Sequence, residues 1–378
     1  MKTPINIFIL LAFLVLISCN QKVKTEVSTD ALNNSIKHAK GFDIQYINGN
    51  IKLTIKTPYP NSNQHFEYLL VQENFDISTL PVSTNIIKIP VKKIVVTSTT
   101  HIPMLELLGE EQALVGFPNT KYVSSKKTRK LIDSGVIQEL GMDASLNTEI
   151  LIDLEPDVVI GFSMNAGNKS FQTIERANIP VIINGDWLEE TPLGRAEWLK
   201  LFGILFGKES LADSIFLNIE NEYNKVKKTA SQTATKPTIL SGAMFKDVWN
   251  LPAGESFVSQ FLKDANTNYL WKHTKGKGSL QLNFENVLDK AQNAAIWIAP
   301  GYFETKEQML NSSPHYAEFD AFNKNNIYTF ATKKGETGGV IYFELAPARP
   351  DLVLKDIIKI THPELFTEDK FTFFDKMY

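Results

Sequence analysis

The sequence contains a single cysteine, Cys19, so no disulfide can form within the chain. It has no long block of one charge sign: 39 Lys and Arg stand against 42 Asp and Glu, a formal net charge of -3. That balance offers no electrostatic footprint for a polyanion, and nucleic acid is excluded as a partner. One short basic cluster, Lys126, Lys127, Arg129 and Lys130, reads as a solvated helix face, with a ligand-facing patch as the alternative. Also missing are His-Glu-x-x-His, Cys-x-x-Cys, a phosphate-loop lysine motif and Gly-x-Ser-x-Gly. Gly335, Gly338 and Gly339 cluster without the spacing of a nucleotide site. No catalytic residue, resident metal or cofactor is therefore assigned, and the chain is not expected to be an enzyme. A metal-dependent hydrolase on an α/β frame is the enzymatic alternative, which stoichiometric metal and turnover would reveal. Long apolar runs are scarce as well. The one at 7–17 would be about 16 Å long as a helix, too short for a hydrocarbon core of about 30 Å. After Lys2, it reads as the core of a signal peptide spanning 1–18.

That segment ends in Leu16, Ile17, Ser18 and Cys19, which resembles the lipobox of bacterial lipoproteins. The resemblance implies acylation of Cys19 and a periplasm-facing lipoprotein of the cell envelope, anchored to a membrane. Residues 19–40 are polar and of mixed charge, the composition of a tether between anchor and fold. Ordered structure is expected from Gly41. Phe42, Ile44 and Tyr46 alternate, Asn48-Gly49 signals a hairpin, and Ile51, Leu53 and Ile55 alternate again. With a further strand at 66–71, residues 41–90 read as a small antiparallel β decoration on a first lobe.

From Lys92 the pattern changes. Short apolar runs at 93–96, 114–116, 157–160 and 180–183 are separated by helical sequence, and the pattern resumes at 238–240, 295–298 and 327–330. Apolar runs flanked by helices indicate parallel strands covered on both faces. Between the two halves, Thr191-Pro192 caps a helix that Gly207 ends. A second helix is expected at 209–229, about 30 Å long and able to bridge two lobes. The predicted organisation is an α/β fold of two Rossmann-like lobes with central parallel sheets. The first lobe occupies 91–190, the helical linker 191–235 and the second lobe 236–378.

Two segments 136 positions apart look alike. Leu146, Asn147, Glu149 and Asp153 match Leu282, Asn283, Glu285 and Asp289 at equal offsets, and each unit runs from helix into strand. Asn147 and Asn283 suit N-caps, which puts each glutamate in a first helical turn, where a carboxylate favours the helix dipole. Singly, each is a well-capped helix; as a pair, they suggest two lobes presenting a carboxylate at the same place. With the 93–99 opening, Glu155-Pro156-Asp157 and the bridging helix, the order of features over 92–378 resembles a known family. It is that of the binding proteins of iron-siderophore and vitamin B12 ABC importers, the class with a helical backbone between lobes. The resemblance implies an inter-lobe ligand cleft and little hinge closure. It also implies an inner-membrane dimeric permease as partner, docked by Glu149 and Glu285 of a monomeric binding protein.

Ligand clefts on such sheets are lined by loops at the carboxyl ends of the strands. Those loops offer Thr100, His101, Phe162, Trp187 and Arg195 on the first lobe. The second lobe offers Trp249, Tyr302, Tyr342, Phe343, Glu344 and Arg349. Isolated Trp or Phe residues more often belong to a core. Together, aromatics and a few arginines suit a bulky ligand with an apolar body and anionic edges. A ferric siderophore or corrinoid fits, with the two arginines favouring the siderophore. Haem, held through His101, Tyr302 or Tyr342, is the runner-up.

Overall fold

The computed structural model describes residues 36–80, 85–143, 145–368 and 370–378. The signal peptide, Cys19 and most of the tether lie outside the described residues. The end of the tether does not. Its amides are pinned by two carboxylates: Glu197 accepts from the N–H groups of Lys37, His38 and Ala39, and Glu189 from those of Lys40 and Gly41. Glu197 is fully buried and pairs with Lys200 at 3.2 Å. Ordered chain therefore begins before Gly41, because buried carboxylates there need N–H donors.

Residues 41–90 form a four-stranded sheet of Phe42–Ile47, Asn50–Ile55, Phe66–Gln72 and Ile86–Ile89. The first three strands are antiparallel, but Ile86–Ile89 runs parallel to Phe66–Gln72, so the sheet is mixed. It is also more than a decoration. Phe42, Leu53, Ile55, Leu70 and Ile87 join the same buried cluster as Ile94, Ile160 and Ile182 of the first lobe. Phe42 packs on Trp198 at 4.6 Å, and the Tyr68 hydroxyl donates to the Val181 carbonyl at 2.7 Å.

The first lobe's parallel sheet has the order Val181–Ile183, Val158–Gly161, Ile94–Val96, Leu114–Phe117, Gln138–Glu139. In the second lobe the order is Asn268–Tyr269, Thr238–Ser241, Ile296–Ile298, Ile327–Thr329, Asp375–Lys376, the last strand antiparallel. Strand orders differ, yet the repeated segment occupies the same place in both. Thr148–Asp153 leads into Val158–Gly161 and Phe284–Ala291 into Ile296–Ile298, and each strand flanks the first strand of its own sheet. In each sheet the strand order reverses beside that pair of parallel strands, so the loops at their carboxyl ends open onto a crevice.

One helix, Glu209–Ser231, links the lobes. Its buried face, Ala212, Phe216, Ile219, Tyr223, Val226 and Ala230, recurs at helical spacing. Ala212 lies in the first lobe's core, whereas Tyr223, Val226 and Ala230 lie in the second's, so the helix is anchored at both ends. The last helix, Pro350–Thr361, packs along it. Among the described residues, no helix is long and apolar enough to cross a membrane.

Candidate functional site

The cleft is strongly asymmetric. One cavity of about 890 Å³ is lined wholly by the second lobe: Met244, Phe245, Phe257, Tyr302, Phe330 and Phe343 supply the apolar wall. A hairpin makes one side, Ala243–Phe245 turning into Val248–Pro252, with Ser279–Leu282 paired beyond it. The other side is a set of touching rings. Tyr302 stacks on Phe343 at 5.6 Å, Phe330 on Tyr342 at 5.0 Å, and Phe330 meets Phe343 edge-on at 5.1 Å. Tyr302 is 70% and Phe245 72% exposed, large rings left facing open space. Contiguous exposed aromatic surface of this kind marks a binding face.

A second cavity of about 560 Å³ lies between the lobes. The first lobe contributes Thr97, Ser98, Asn119, Tyr122 and Asp143, against Tyr302, Glu304, Lys334 and Phe343. A third, about 250 Å³, sits beside Arg195 and shares Phe257, Tyr342 and Phe343 with the first. The cleft thus sets an apolar wall on one lobe against a more polar rim on the other.

Tyr302, Tyr342 and Phe343 all line the main cavity. Burial pushes the Tyr342 phenol up to about 12, so it stays a neutral hydrogen-bonding group. Thr100 and Arg195 line the small cavity, the Thr100 hydroxyl donating to Asp186 at 3.2 Å. Arg195 is not a free cation edge. Its guanidinium lies 3.7 Å over the Phe257 ring and donates to the Trp187 carbonyl at 2.6 Å, and burial lowers its pKa. Phe162 and Trp187 pack on each other at 5.3 Å and line none of these three cavities.

Four further expected contacts line none of these three cavities either. Trp249 is fully buried, stacked on Trp297 at 5.3 Å in the second core, because its strand turns Trp249 and Leu251 inward together. His101 is 1% exposed and tilts against Phe202; burial lowers its pKa, and among the described residues neither ring nitrogen has a hydrogen-bond partner. Arg349 is spent on Asp351 two residues on, through bonds of 2.9 and 2.7 Å at the start of the last helix. Glu344 is 3% exposed, its carboxylate bound to first-lobe amides rather than facing the cavity.

The cations that do line the cleft are also paired. Lys334 contacts Glu304, and Lys277 contacts Glu190. Among the described residues no group of three or more His, Cys, Asp or Glu side chains is placed to hold a bare metal ion. Sequence reasoning missed Phe257, Phe330, Met244 and Tyr122. Phe257 follows the Ser256 cap and could be seen only as the start of a helix, since nothing local shows which helix ends overlook a cleft.

Glu149 and Glu285 are both exposed in first helical turns. Asn147 caps the first helix by accepting from the Ile150 N–H at 3.2 Å, and Asn283 caps the second by accepting from Asn286 at 2.9 Å.

Two α/β lobes, a helical spine and an aromatic inter-lobe cleft define a two-lobed solute-binding protein. The chain belongs to the periplasmic binding protein family, whose profile matches residues 94–333. Over 387 aligned residues it is 24% identical to an uncharacterized lipoprotein of Methanocaldococcus jannaschii, covering 95% of this chain and 90% of that protein. Its fold is similar to a periplasmic haem-binding protein from Pseudomonas aeruginosa, with a TM-score of 0.58 and 16% identity, covering 76% of this chain and 98% of that one. The periplasmic vitamin B12 binding protein BtuF of Vibrio cholerae gives a TM-score of 0.52 at 9% identity, covering 74% and 99%. The family and these structural neighbours are solute-binding proteins rather than enzymes, and the chain has a substrate-binding role in transport.

Proposed function

We propose that the chain is the lipid-anchored substrate-binding component of an ABC importer, and that it captures a corrinoid or ferric siderophore. The observation that carries this reading is the second-lobe wall: a cavity of about 890 Å³ faced by Tyr302, Phe343, Phe245 and Phe257. Aromatic rings bury large apolar faces at low entropic cost, which suits a rigid chelate of that bulk. Charge sets the order of preference. Arg195, Arg349, Lys277 and Lys334 all have protein partners, so an anionic ligand would have to compete for them. A corrinoid or a neutral ferric siderophore therefore ranks above an anionic one, reversing the order that the arginines suggest in the sequence. Haem ranks below them: His101 is buried away from the cleft cavities, which leaves the exposed phenols of Tyr302 and Tyr122 for an axial bond.

The remaining elements follow the family resemblance. Cys19 would carry the lipid, in keeping with the archaeal relative's designation as a lipoprotein, and would hold the chain at the envelope. Glu149 and Glu285 would meet cationic groups of a dimeric permease, one from each lobe.

The aromatic wall supplies the test. Burying one large apolar side chain contributes about 1.5–3 kcal/mol. Tyr302→Ala combined with Phe343→Ala should therefore weaken chelate binding by at least about 100-fold, at about 1.4 kcal/mol per tenfold. Both rings are substantially exposed, so the melting temperature should barely move. Calorimetric titration of the variant against the wild type with cobalamin and a ferric hydroxamate measures this. Unchanged affinity would place the ligand elsewhere. A Soret shift with haem that vanishes in Tyr302→Phe would put haem first.

A further inference from the structure

The residue that sequence reading assigned to the ligand, Glu344, does something else. It sits on the short second-lobe helix Ile341–Leu345, next to Phe343. One carboxylate oxygen accepts the Ser124 N–H at 2.7 Å and the other the Ser125 N–H at 2.8 Å, both on the first lobe. Ser125 is the N-cap of the helix Lys126–Asp133, its hydroxyl accepting from the N–H groups of Lys127 and Thr128. Glu344 thus takes up donors just ahead of a helix start, where charge-assisted bonds to amides are strong.

The glycine-rich loop before it holds the same stretch of chain. Gly335 and Gly338 close a tight turn through Gly335 N–H to the Gly339 carbonyl at 2.8 Å and Gly338 N–H to the Gly335 carbonyl at 3.0 Å. A β-carbon on Gly335 would lie 2.5 Å from the Ser124 Cα, and one on Gly339 would lie 2.1 Å from the Tyr122 carbonyl oxygen. Only glycine permits that approach. Thr337 adds a hydroxyl donated to the Val123 carbonyl at 3.4 Å. Four consecutive first-lobe residues, 122–125, are therefore gripped by one continuous segment of the second lobe.

We infer that Glu344 and the loop 335–339 form a further bridge between the lobes, beside the long helix and the Lys277–Glu190 ion pair, a clasp that fixes the cleft opening and positions Tyr122 and Phe343 across it. Tyr122, Gly338, Gly339 and Phe343 all line the inter-lobe cavity, so the clasp builds part of that cavity's wall. The long helix ties the lobes through their cores; the clasp ties them at the ligand surface. Glu344 is a positioning residue: it acts on the cleft through Ser124 and Ser125 and does not line the main cavity.

Native-state hydrogen exchange on the full mature chain without ligand tests this, independently of what the cleft binds. In Glu344→Ala, the Ser124 and Ser125 amides should exchange at least about 10-fold faster while Ile296–Ile298, in the second core, keep their protection. Small-angle scattering should show a wider particle. Glu344→Gln, which keeps one acceptor oxygen, should restore part of the protection. Gly339→Ala attacks the same bridge from the loop and should loosen 122–125 without touching the carboxylate. Wild-type protection at Ser124 and Ser125 in Glu344→Ala would overturn the clasp. So would exchange that quickens equally through Ile296–Ile298, which would mark Glu344 as a general stability residue.

Discussion

Trp249→Ala should cost about 3–5 kcal/mol of stability, the range for removing a large aromatic side chain from a packed core. The ring is fully buried, stacked on Trp297 at 5.3 Å and flanked by Phe319 at 5.4 Å and Tyr316 at 5.7 Å. Its Nε1–H donates to the Ser241 carbonyl at 3.1 Å, so truncation also leaves a buried acceptor unpaired. That carbonyl ends the first strand of the second lobe, and the strand's loop lines the main cavity. Ligand binding should weaken only as far as the second lobe loosens. Urea unfolding of wild type and variant measures the cost. A stability change under about 1 kcal/mol together with lost ligand affinity would return Trp249 to the cleft.

Exchanging both Glu149 and Glu285 for lysine should cut uptake more than tenfold and leave ligand affinity unchanged. Each carboxylate is exposed, so its loss should cost the protein only about 0.3–1 kcal/mol of helix-dipole interaction. Neither residue lines a cleft cavity. If the glutamates dock on a basic permease face as proposed, each substitution would turn an attraction into like-charge contact, which costs several kcal/mol and slows encounter. Uptake of a labelled chelate, in cells where this chain is the sole binding component, reads the effect. A compensating charge reversal on the permease should restore part of the uptake. Normal uptake in the double variant, or lost ligand affinity in the isolated protein, would remove these glutamates from docking.

The architecture could be read from the sequence because its signals are local. Apolar runs at 93–96, 157–160, 238–240 and 295–298 became buried parallel strands, since a strand covered on both faces has no polar positions to alternate. Asn147 and Asn283 cap helices as their spacing from the following apolar residues requires. The helix expected at 209–229 runs as Glu209–Ser231.

The site was less legible because it depends on side-chain direction and on contacts distant in sequence. Trp187 and Trp249 both follow or interrupt strand-like sequence, yet only the alternation of Val248, Trp249, Asn250 and Leu251 says that Trp249 turns inward. That signal was present and could have separated a core ring from a cleft ring. Arg349 and Asp351 stand two residues apart, and that proximity already hinted that the arginine was occupied. Nothing local could pair Glu344 with Ser124, a contact across 220 residues. Nor could the mixed direction of the N-terminal sheet be read, because the returning strand at Ile86–Ile89 carries no mark of its orientation.

Titration of the purified mature chain by calorimetry tests the proposed role most directly, using cobalamin, neutral and anionic ferric siderophores, haem, and bare ferric and zinc ions. Saturable one-to-one binding of cobalamin or a neutral ferric siderophore is expected, weaker binding of the anionic chelates, and no tight binding of either bare ion. Tight uptake of a bare ion, or no saturable binding of any chelate, would contradict it.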